Sequence, residues 1–275
     1  MNGLFTALVT PFRDDKICYT SLEKLINWQL TNDVNNLVVA GTTGESTLLT
    51  HKEKSDLLRF ARTVAPDCNL IAGVSSPSTR DAVKQAVIAE TLGADALLVS
   101  PPYYSKCTQE GYVLHIESIA SAVSLPIILY NVPARSGYCI NRQQLQRCLS
   151  LPNVNHVKQC VETDIARQLY FKGMQVLCGD DGRLIEYADS GICSGAVSVM
   201  SNLFPHETAQ AMTGKSTDVY QKSVELLSRD INPVVIKYML YCAGLIASPD
   251  VRLPLTLPDK QVQEDIKNFI DEVNI

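Results

Sequence analysis

Short hydrophobic runs recur along the first 200 residues of the chain, and most of them are nearly continuous rather than alternating with polar residues. Such runs are typical of parallel strands that are covered on both faces. The pattern therefore predicts eight buried strands. They span residues 4–9, 37–40, 70–74, 96–99, 127–130, 154–158, 175–178 and 195–199.

Between these runs lie segments with the spacing of apolar residues that is typical of helices. Thr50 followed by Glu53, and Thr20 followed by Glu23, both have the sequence of a capping box at a helix start. Strands that alternate with helices predict an α/β fold, a (β/α)8 TIM barrel, because right-handed crossovers close eight such units on themselves. The alternative is an open doubly wound sheet, but no Gly-x-Gly-x-x-Gly motif follows the first strand.

The last part of the chain breaks this alternation. Helices are predicted near residues 218–227, from Pro233 at a first helical position to about Ala243, and over residues 260–273. We therefore predict a catalytic barrel over residues 1–215 and a C-terminal helical extension, residues 216–275, that packs on the barrel.

The composition excludes several classes of function. A net charge of -5 provides no basic surface for nucleic acid or for an anionic membrane. No apolar run approaches the roughly 20 residues of a membrane span, and the chain passes from Met1 into the first predicted strand without a signal-peptide pattern. The nine cysteines include no Cys-x-x-Cys pair, which argues against a zinc site and favours free thiols in a reducing compartment. We expect a cytoplasmic protein that acts on small molecules.

A lysine, Lys158, ends the sixth predicted strand, where an apolar residue would be expected. Desolvation lowers the pKa of an ammonium group, so a lysine in a dry pocket can be a neutral nucleophile that forms an imine with a ketone or aldehyde. The alternative is a solvated lysine at a strand end. Cys160 lies close by in sequence, but no histidine stands in an obvious activating position, so it is the weaker candidate nucleophile.

Other polar residues also follow predicted strands, and in a barrel those strand ends form the face that carries active sites. The glycine-flanked loop of residues 41–46 is either a plain tight turn or a cradle for a small carboxylate. Tyr103 and Tyr104 could be aromatic packing residues, and Tyr130 is either a packing residue or, beside an imine-forming lysine, a proton carrier. Arg135 is either a surface cation or a bidentate clamp for a carboxylate. Asp180 and Asp181 are weak as a metal pair, because no third ligand accompanies them.

In their order and spacing, these residues resemble the dihydrodipicolinate synthase family. The resemblance covers essentially the whole barrel, and parts of it are shared by the wider superfamily of pyruvate-dependent class I aldolases, which includes N-acetylneuraminate lyase. The matching segments are Gly41-Thr42-Thr43-Gly44-Glu45-Ser46, Tyr103-Tyr104, Tyr130-Asn131-Val132-Pro133-Ala134-Arg135-Ser136-Gly137 and Val157-Lys158.

The resemblance implies four catalytic residues. Lys158 would form an imine with pyruvate, and Tyr130 would carry protons. The hydroxyl of Thr42 would link Tyr130 to Tyr104, in a relay that a tyrosine of the adjacent subunit completes in the family. A homotetramer built as a dimer of dimers, in which Tyr104 reaches a neighbouring active site, is therefore expected.

The resemblance also implies four substrate-binding residues and a pair of substrates. Thr43 would hold the carboxylate of pyruvate, and Arg135 would hold the carboxylate of aspartate semialdehyde. Val197 on the eighth strand matches a position whose backbone contacts pyruvate, and Gly179 is assigned to the same substrate site. No metal and no organic cofactor are expected, because the lysine supplies the electron sink.

The chain departs from the family pattern in three places. Residues 159–164 lack the small residues common after the lysine, and the C-terminal part is shorter than in typical members, which bears on tetramer contacts. Family members that L-lysine inhibits use a pocket between subunits. Its matching positions here include His51, Lys54, Pro77, Asp81 and Tyr103. Because Pro77 replaces an asparagine and Lys54 adds a cation, we predict weak or absent inhibition by lysine.

Two other functions stay open from the sequence alone. A related pyruvate aldolase or lyase acting on a sugar acid would need the position of Arg135 to accept a polyol chain, and arginine suits a carboxylate better. A non-catalytic barrel that binds a keto acid could lose Lys158 or Tyr130, and this chain has kept both.

Overall fold

Eight parallel strands close into a barrel in the computed structural model, which describes residues 2–274. Each strand falls on one of the hydrophobic runs, so the predicted (β/α)8 fold is confirmed. The strands are β1 (Gly3–Ala7), β2 (Asn36–Val39), β3 (Asn69–Val74), β4 (Ala96–Val99), β5 (Ile127–Asn131), β6 (Val154–Gln159), β7 (Gln175–Cys178) and β8 (Cys193–Ser198). Neighbours in sequence pair with each other, and β1 closes the ring by pairing with β8.

Helices connect the strands and continue after the barrel. They are α1 (Tyr19–Thr31), α2 (His51–Val64), α3 (Thr79–Thr91), α4 (Gln109–Ala122), α5 (Pro133–Ser136), α6 (Arg142–Cys148), α7 (Thr163–Leu169), α8 (Leu184–Asp189), α9 (Pro205–Ala211), α10 (Asp218–Leu227), α11 (Val234–Cys242) and α12 (Lys260–Val273). Short 3-10 helices span Ser46–Leu48, Asp181–Arg183 and Met200–Asn202, and a two-stranded hairpin pairs Phe12–Arg13 with Lys16–Ile17. Within residues 2–274, no helix combines the length and the apolar character needed to cross a membrane.

The two predicted capping boxes have different outcomes. At the start of α2, Glu53 N–H donates to Thr50 Oγ1 at 3.2 Å and Thr50 N–H donates to the Glu53 carboxylate at 2.8 Å, so this box is confirmed. The box predicted at Thr20 is wrong, because α1 already begins after Cys18, which makes no side-chain cap. A backbone hydrogen bond of 2.8 Å from Cys18 N–H to Pro11 fixes that earlier start.

Side chains alternate between the barrel interior and the layer under the helices, as successive residues of a strand must. On β5, Ile128 and Tyr130 belong to the apolar cluster inside the barrel, whereas Ile127 and Leu129 pack in the outer cluster. Tyr130 is the last inward-facing residue of β5 and is only 6% exposed. Its phenol therefore lies at the C-terminal mouth of the barrel.

The C-terminal helices lie where they were predicted, except that α11 begins at Val234 and Pro233 precedes it as the cap residue. Lys237 on α11 donates to Glu45 Oε1 at 2.7 Å, and both side chains are fully buried. The extension is thus tied to the loop that follows β2. The division into residues 1–215 and 216–275 stays a prediction, and its outermost residues, Met1 and Ile275, lie outside the described range.

Candidate active site

Lys158 lies beside Tyr130 because the register of β6 against β5 pairs these two residues. The lysine is only 5% exposed, and its Nζ atom lies 4.3 Å from the centre of the Tyr130 ring. The alternative of a solvated lysine at a strand end is therefore wrong. An amine held by a strand against a buried phenol is placed to react with a molecule that enters the barrel mouth.

The pKa of Lys158 is raised above its ordinary value, which corrects the expectation that a dry pocket would lower it. Burial disfavours the ammonium and acts to lower this pKa, but electrostatic interaction with Tyr130, Cys160 and Asp181 acts in the opposite direction and prevails. Burial raises the pKa values of Tyr130 and Cys160 as well. Burial thus favours the neutral phenol and the neutral thiol, whereas the groups around Lys158 favour its ammonium form.

Gly179, the residue after β7, provides the space that the lysine side chain occupies. A Cβ atom at this position would lie 2.5 Å from Lys158 Cε and 2.4 Å from Cys160 Sγ. Both distances are far shorter than van der Waals contact, so only glycine fits beside the lysine side chain. The Cys160 thiol donates to the Gly179 carbonyl at 3.1 Å, which engages it with the backbone.

The loop after β2 places two threonines at the barrel mouth. Glu45 has a left-handed φ of 56°, and its N–H donates to the Thr42 carbonyl at 3.0 Å, which closes a tight turn. Thr42 forms a side-chain hydrogen bond with Tyr130, which acts to lower the phenol pKa against the larger effect of burial. Thr43 is buried and lines the same cavity as Lys158.

Arg135 extends from α5, the short helix after β5, and is the exposed cation of the site. Its Nη2 atom donates to the backbone carbonyl of Asn232 at 3.2 Å. The Asn232 side chain in turn donates through Nδ2 to Thr43 Oγ1 at 3.1 Å. Asn232 was not predicted as a site residue from the sequence, because it follows no strand and lies between α10 and α11.

These side chains surround a cavity of about 320 Å³, which is at the small end of sites for metabolites. The barrel contributes Thr43, Tyr130, Arg135, Lys158 and Gly179, and the helical extension contributes Val224, Leu227, Ser228, Asn232, Val235 and Ile236. A second cavity of about 190 Å³ shares Tyr130 and Arg135 with the first. It is lined by Thr42, Thr47, Ser75, Ser100, Tyr103 and Arg135, among others.

Asp181 also lines the larger cavity, although its sequence context made it only a weak candidate metal ligand. Its carboxylate accepts hydrogen bonds from Ser198 Oγ at 2.5 Å and from the N–H groups of Val199 and Met200 at 2.8 and 3.1 Å. These bonds fix the turn after β8. Among residues 2–274, no group of three or more His, Cys, Asp or Glu side chains is placed to hold a metal ion.

Two of the predicted site residues do not line either cavity. Tyr104 is 93% exposed and has a left-handed φ of 69°, so its ring lies away from the site of its own chain. Val197 is 1% exposed and packs inside the barrel on β8. The roles assigned to both residues stay predictions.

Two of the positions that match the lysine pocket of the family, His51 and Asp81, are in contact at the start of α2. His51 Nε2 is 3.2 Å from Asp81 Oδ1, and Lys54 donates to Gln85 Oε1 at 3.4 Å. Burial lowers the pKa of Lys54. The chain therefore carries its own amine among these groups, and weak or absent inhibition by lysine stays a prediction.

A family model and the relatives of this chain indicate the same family. The model of the Dihydrodipicolinate synthetase family matches residues 1–273. A 4-hydroxy-tetrahydrodipicolinate synthase of Bdellovibrio bacteriovorus is 36% identical over 268 residues, which cover 92% of this chain and 91% of that protein.

Solved structures agree with this similarity. A crystal structure of the dihydrodipicolinate synthase of Acinetobacter baumannii with pyruvate has a TM-score of 0.93 and 33% identity, covering 100% of this chain and 99% of that one. Another structure, described as the first monomeric dihydrodipicolinate synthase variant, has a TM-score of 0.91 and 31% identity, covering 99% and 97%.

Proposed function

The chain belongs to the dihydrodipicolinate synthetase family, and on this premise we propose that it condenses pyruvate with L-aspartate 4-semialdehyde. This is the activity of a 4-hydroxy-tetrahydrodipicolinate synthase, a lyase of lysine and diaminopimelate biosynthesis. The observation that carries the proposal is the buried amine of Lys158, held 4.3 Å from the centre of the Tyr130 ring in a cavity that also contains Thr43 and Arg135.

The first half of the reaction forms an enamine on the lysine. Once its ammonium has lost a proton, Lys158 Nζ adds to the keto carbon of pyruvate, and the carbinolamine loses water to give an imine. Tyr130 lies against Nζ and is the group that moves protons in these steps. Loss of a proton from the pyruvate methyl group then gives the enamine, with the electron pair drawn toward the iminium nitrogen. The lysine is the electron sink, so this chemistry needs neither a metal nor an organic cofactor.

The second half joins the two substrates. The enamine carbon attacks the aldehyde carbon of aspartate semialdehyde, and the aldehyde oxygen takes up a proton through Tyr130. The amino group of the second substrate then attacks the imine carbon, closes the ring and displaces the Lys158 amine. Thr42, which bonds to the phenol, holds Tyr130 in the orientation that these transfers need.

Two carboxylates are bound in this scheme by two different groups. Thr43, buried beside the lysine, takes the carboxylate of pyruvate through its hydroxyl and the backbone N–H groups of its loop. Arg135 takes the carboxylate of the semialdehyde, because a guanidinium binds a carboxylate in a bidentate manner. Gly179 keeps the space beside Lys158 open, and the backbone at Val197 contacts pyruvate.

Tyr104 is assigned to a neighbouring active site. An aromatic side chain that is 93% exposed and turned away from its own cavity is suited to cover another subunit's site. The proposed assembly is a homotetramer built as a dimer of dimers, and sedimentation of the unsubstituted chain and of Tyr104→Ala tests it. The proposed location is the cytoplasm, which the nine free cysteines support.

Borohydride trapping with pyruvate tests the catalytic assignment. The intact mass and a peptide map should show one pyruvate adduct, on Lys158, and a coupled assay should show turnover of aspartate semialdehyde. Lys158→Arg keeps the positive charge but cannot form the imine, so it should lose both signals. Lys172→Arg, at an exposed lysine, is the matched control and should keep both.

Each outcome has a definite meaning. An adduct on Lys158 with turnover supports the proposal. An adduct without turnover would redirect the assignment to an aldolase acting on a sugar acid. The absence of an adduct on folded protein would leave a barrel that only binds a keto acid.

A further inference from the structure

Asn232 forms hydrogen bonds with both Thr43 and Arg135. In the proposed function, these two residues bind the carboxylates of the two substrates. Asn232 donates through Nδ2 to Thr43 Oγ1 at 3.1 Å, and its backbone carbonyl accepts from Arg135 Nη2 at 3.2 Å. The residue itself belongs to the C-terminal extension and lies two residues before the start of α11 at Val234. It therefore bridges the loop after β2 and the helix after β5 from the opposite wall of the cavity.

The hydrogen bond to Thr43 determines where the threonine proton can point. A hydroxyl group has one proton and two acceptor lone pairs. Because Asn232 donates to the oxygen, the threonine proton stays available for an acceptor in the cavity. If the amide were turned around, its oxygen would take that proton from Thr43, and the hydroxyl could no longer donate to a carboxylate.

The other end of the amide does not explain why an asparagine stands here. Its Oδ1 atom is buried and has no hydrogen-bond partner within residues 2–274. The bond from Arg135 is to the backbone carbonyl and would survive any change of the side chain. The side chain therefore has one hydrogen bond, and that bond is to the threonine of the pyruvate site.

We propose that Asn232 is a positioning residue for keto-acid binding: its amide orients the Thr43 hydroxyl so that the hydroxyl proton faces the pyruvate carboxylate. The proposal rests on the proposed function, since it takes Thr43 to be the group that meets that carboxylate. It adds that affinity for the keto acid is set in part by a residue of the helical extension.

Three variants test the role of Asn232. Asn232→Ala removes the donor, and Asn232→Asp replaces it at neutral pH with an acceptor that takes the Thr43 proton and repels the substrate. Asn268→Ala, at an exposed asparagine on α12 of the same extension, is the matched control. The pyruvate concentration that half-saturates trapping by cyanoborohydride is measured for each, together with both KM values and kcat in the coupled assay.

Both substitutions of Asn232 are expected to weaken the binding of pyruvate. Asn232→Ala should raise its half-saturating concentration by about three- to tenfold, which is the range for loss of one hydrogen bond. Asn232→Asp should raise it by about a hundredfold at pH 8, because a like charge beside a carboxylate is strongly unfavourable. For Asn232→Asp, the ratio to the unsubstituted chain should shrink toward pH 5, as the introduced carboxyl gains a proton and can donate again. The KM for the semialdehyde should change by less than about threefold, since the carbonyl that Arg135 bonds is retained.

A double-mutant cycle with Thr43→Val separates orientation from a general structural effect. If Asn232 acts through the threonine hydroxyl, Asn232→Ala should weaken pyruvate binding by less than about twofold when Thr43 is already valine. Independent, multiplicative effects would overturn the proposal, as would an Asn232→Asp effect that does not depend on pH. If the unsubstituted chain forms no pyruvate adduct, the proposed function itself is refuted instead. Thermal unfolding of every variant identifies any that has failed to fold, and for such a variant Asn232→Ser is substituted in the same cycle.

Discussion

Replacing Gly179 by alanine should disable the lysine while leaving the barrel intact. Gly179 does not have the positive φ that disfavours an alanine, so the substitution acts only through the added methyl group. That methyl would lie 2.5 Å from Lys158 Cε and 2.9 Å from Lys158 Cγ, where an unstrained contact needs 3.4 Å or more. The lysine side chain must therefore move by nearly 1 Å or adopt another rotamer.

The size of the effect follows from this displacement. A misplacement of about 1 Å in a catalytic group costs on the order of a hundredfold in rate. Overpacking of one methyl group costs about 1–3 kcal/mol of stability, which a folded barrel of this size can tolerate. We therefore expect the rate of pyruvate trapping and kcat/KM to fall by about a hundredfold, with only a small decrease in Tm.

Two further variants make the result specific. Gly182→Ala is the matched control, because its methyl would meet Asp180 Oδ1 at 3.3 Å, only slightly closer than an unstrained contact, and Val224 at 3.6 Å. Gly179→Ala combined with Cys160→Ala removes the contact of 2.4 Å with the sulfur but keeps the contact with the lysine, so it should remain impaired. Trapping at the parental rate by Gly179→Ala would refute the argument, and recovery in the double variant would show that the thiol, not the lysine, was the group disturbed.

Three other predictions follow from the buried charges. Because the pKa of Lys158 is raised, the neutral amine is scarce at neutral pH. The rate of pyruvate trapping at subsaturating pyruvate should therefore rise by about tenfold per pH unit between pH 6 and 8. A trapping rate that does not change with pH would contradict this prediction. Burial lowers the pKa of His115 to about 4 in the folded chain. Below pH 6.5 this histidine therefore binds a proton in the unfolded chain before it does so in the folded chain. The free energy of unfolding should then decrease by about 3 kcal/mol from pH 6.5 to 4, and urea titrations of His115→Gln should lack that decrease. Lys237→Met leaves the buried carboxylate of Glu45 without its cationic partner and should cost about 3–5 kcal/mol, whereas adding Glu45→Gln should recover part of this loss. Equal unfolding midpoints for all three proteins would refute this prediction.

The strands and the site residues at the strand ends were predictable, because both depend on local patterns in the sequence. A strand that is buried on both faces leaves a continuous hydrophobic run, and each of the eight runs became a strand. Parallel strands also end on the same face, so residues at strand ends meet whatever their distance in sequence. That rule brought Lys158, Tyr130, Thr43 and Gly179 around one cavity.

The electrostatics of the site were not predictable in the same way. The direction of the Lys158 pKa depends on which charges the neighbouring strands bring close to it. Cys160 follows β6 and Asp181 follows β7, and the sequence identifies both residues but not their orientation toward the amine. The expectation of a lowered pKa considered burial alone, which is one of two opposing effects.

The contacts of the C-terminal extension were also not predictable from the sequence. Its helices were predicted almost to the residue, yet periodicity says only that a helix has a buried face and not what that face covers. In the folded chain, α10 and α11 form one wall of the cavity, Asn232 bonds Thr43, and Lys237 forms a buried ion pair with Glu45. Glu45 and Thr43 are two residues apart in one tight turn, so both contacts restrain the same loop. A barrel without this extension would leave the carboxyl group of Glu45 unpaired and the pyruvate site open on one side. We therefore expect truncation before α10 to abolish pyruvate trapping even if the eight strands still close.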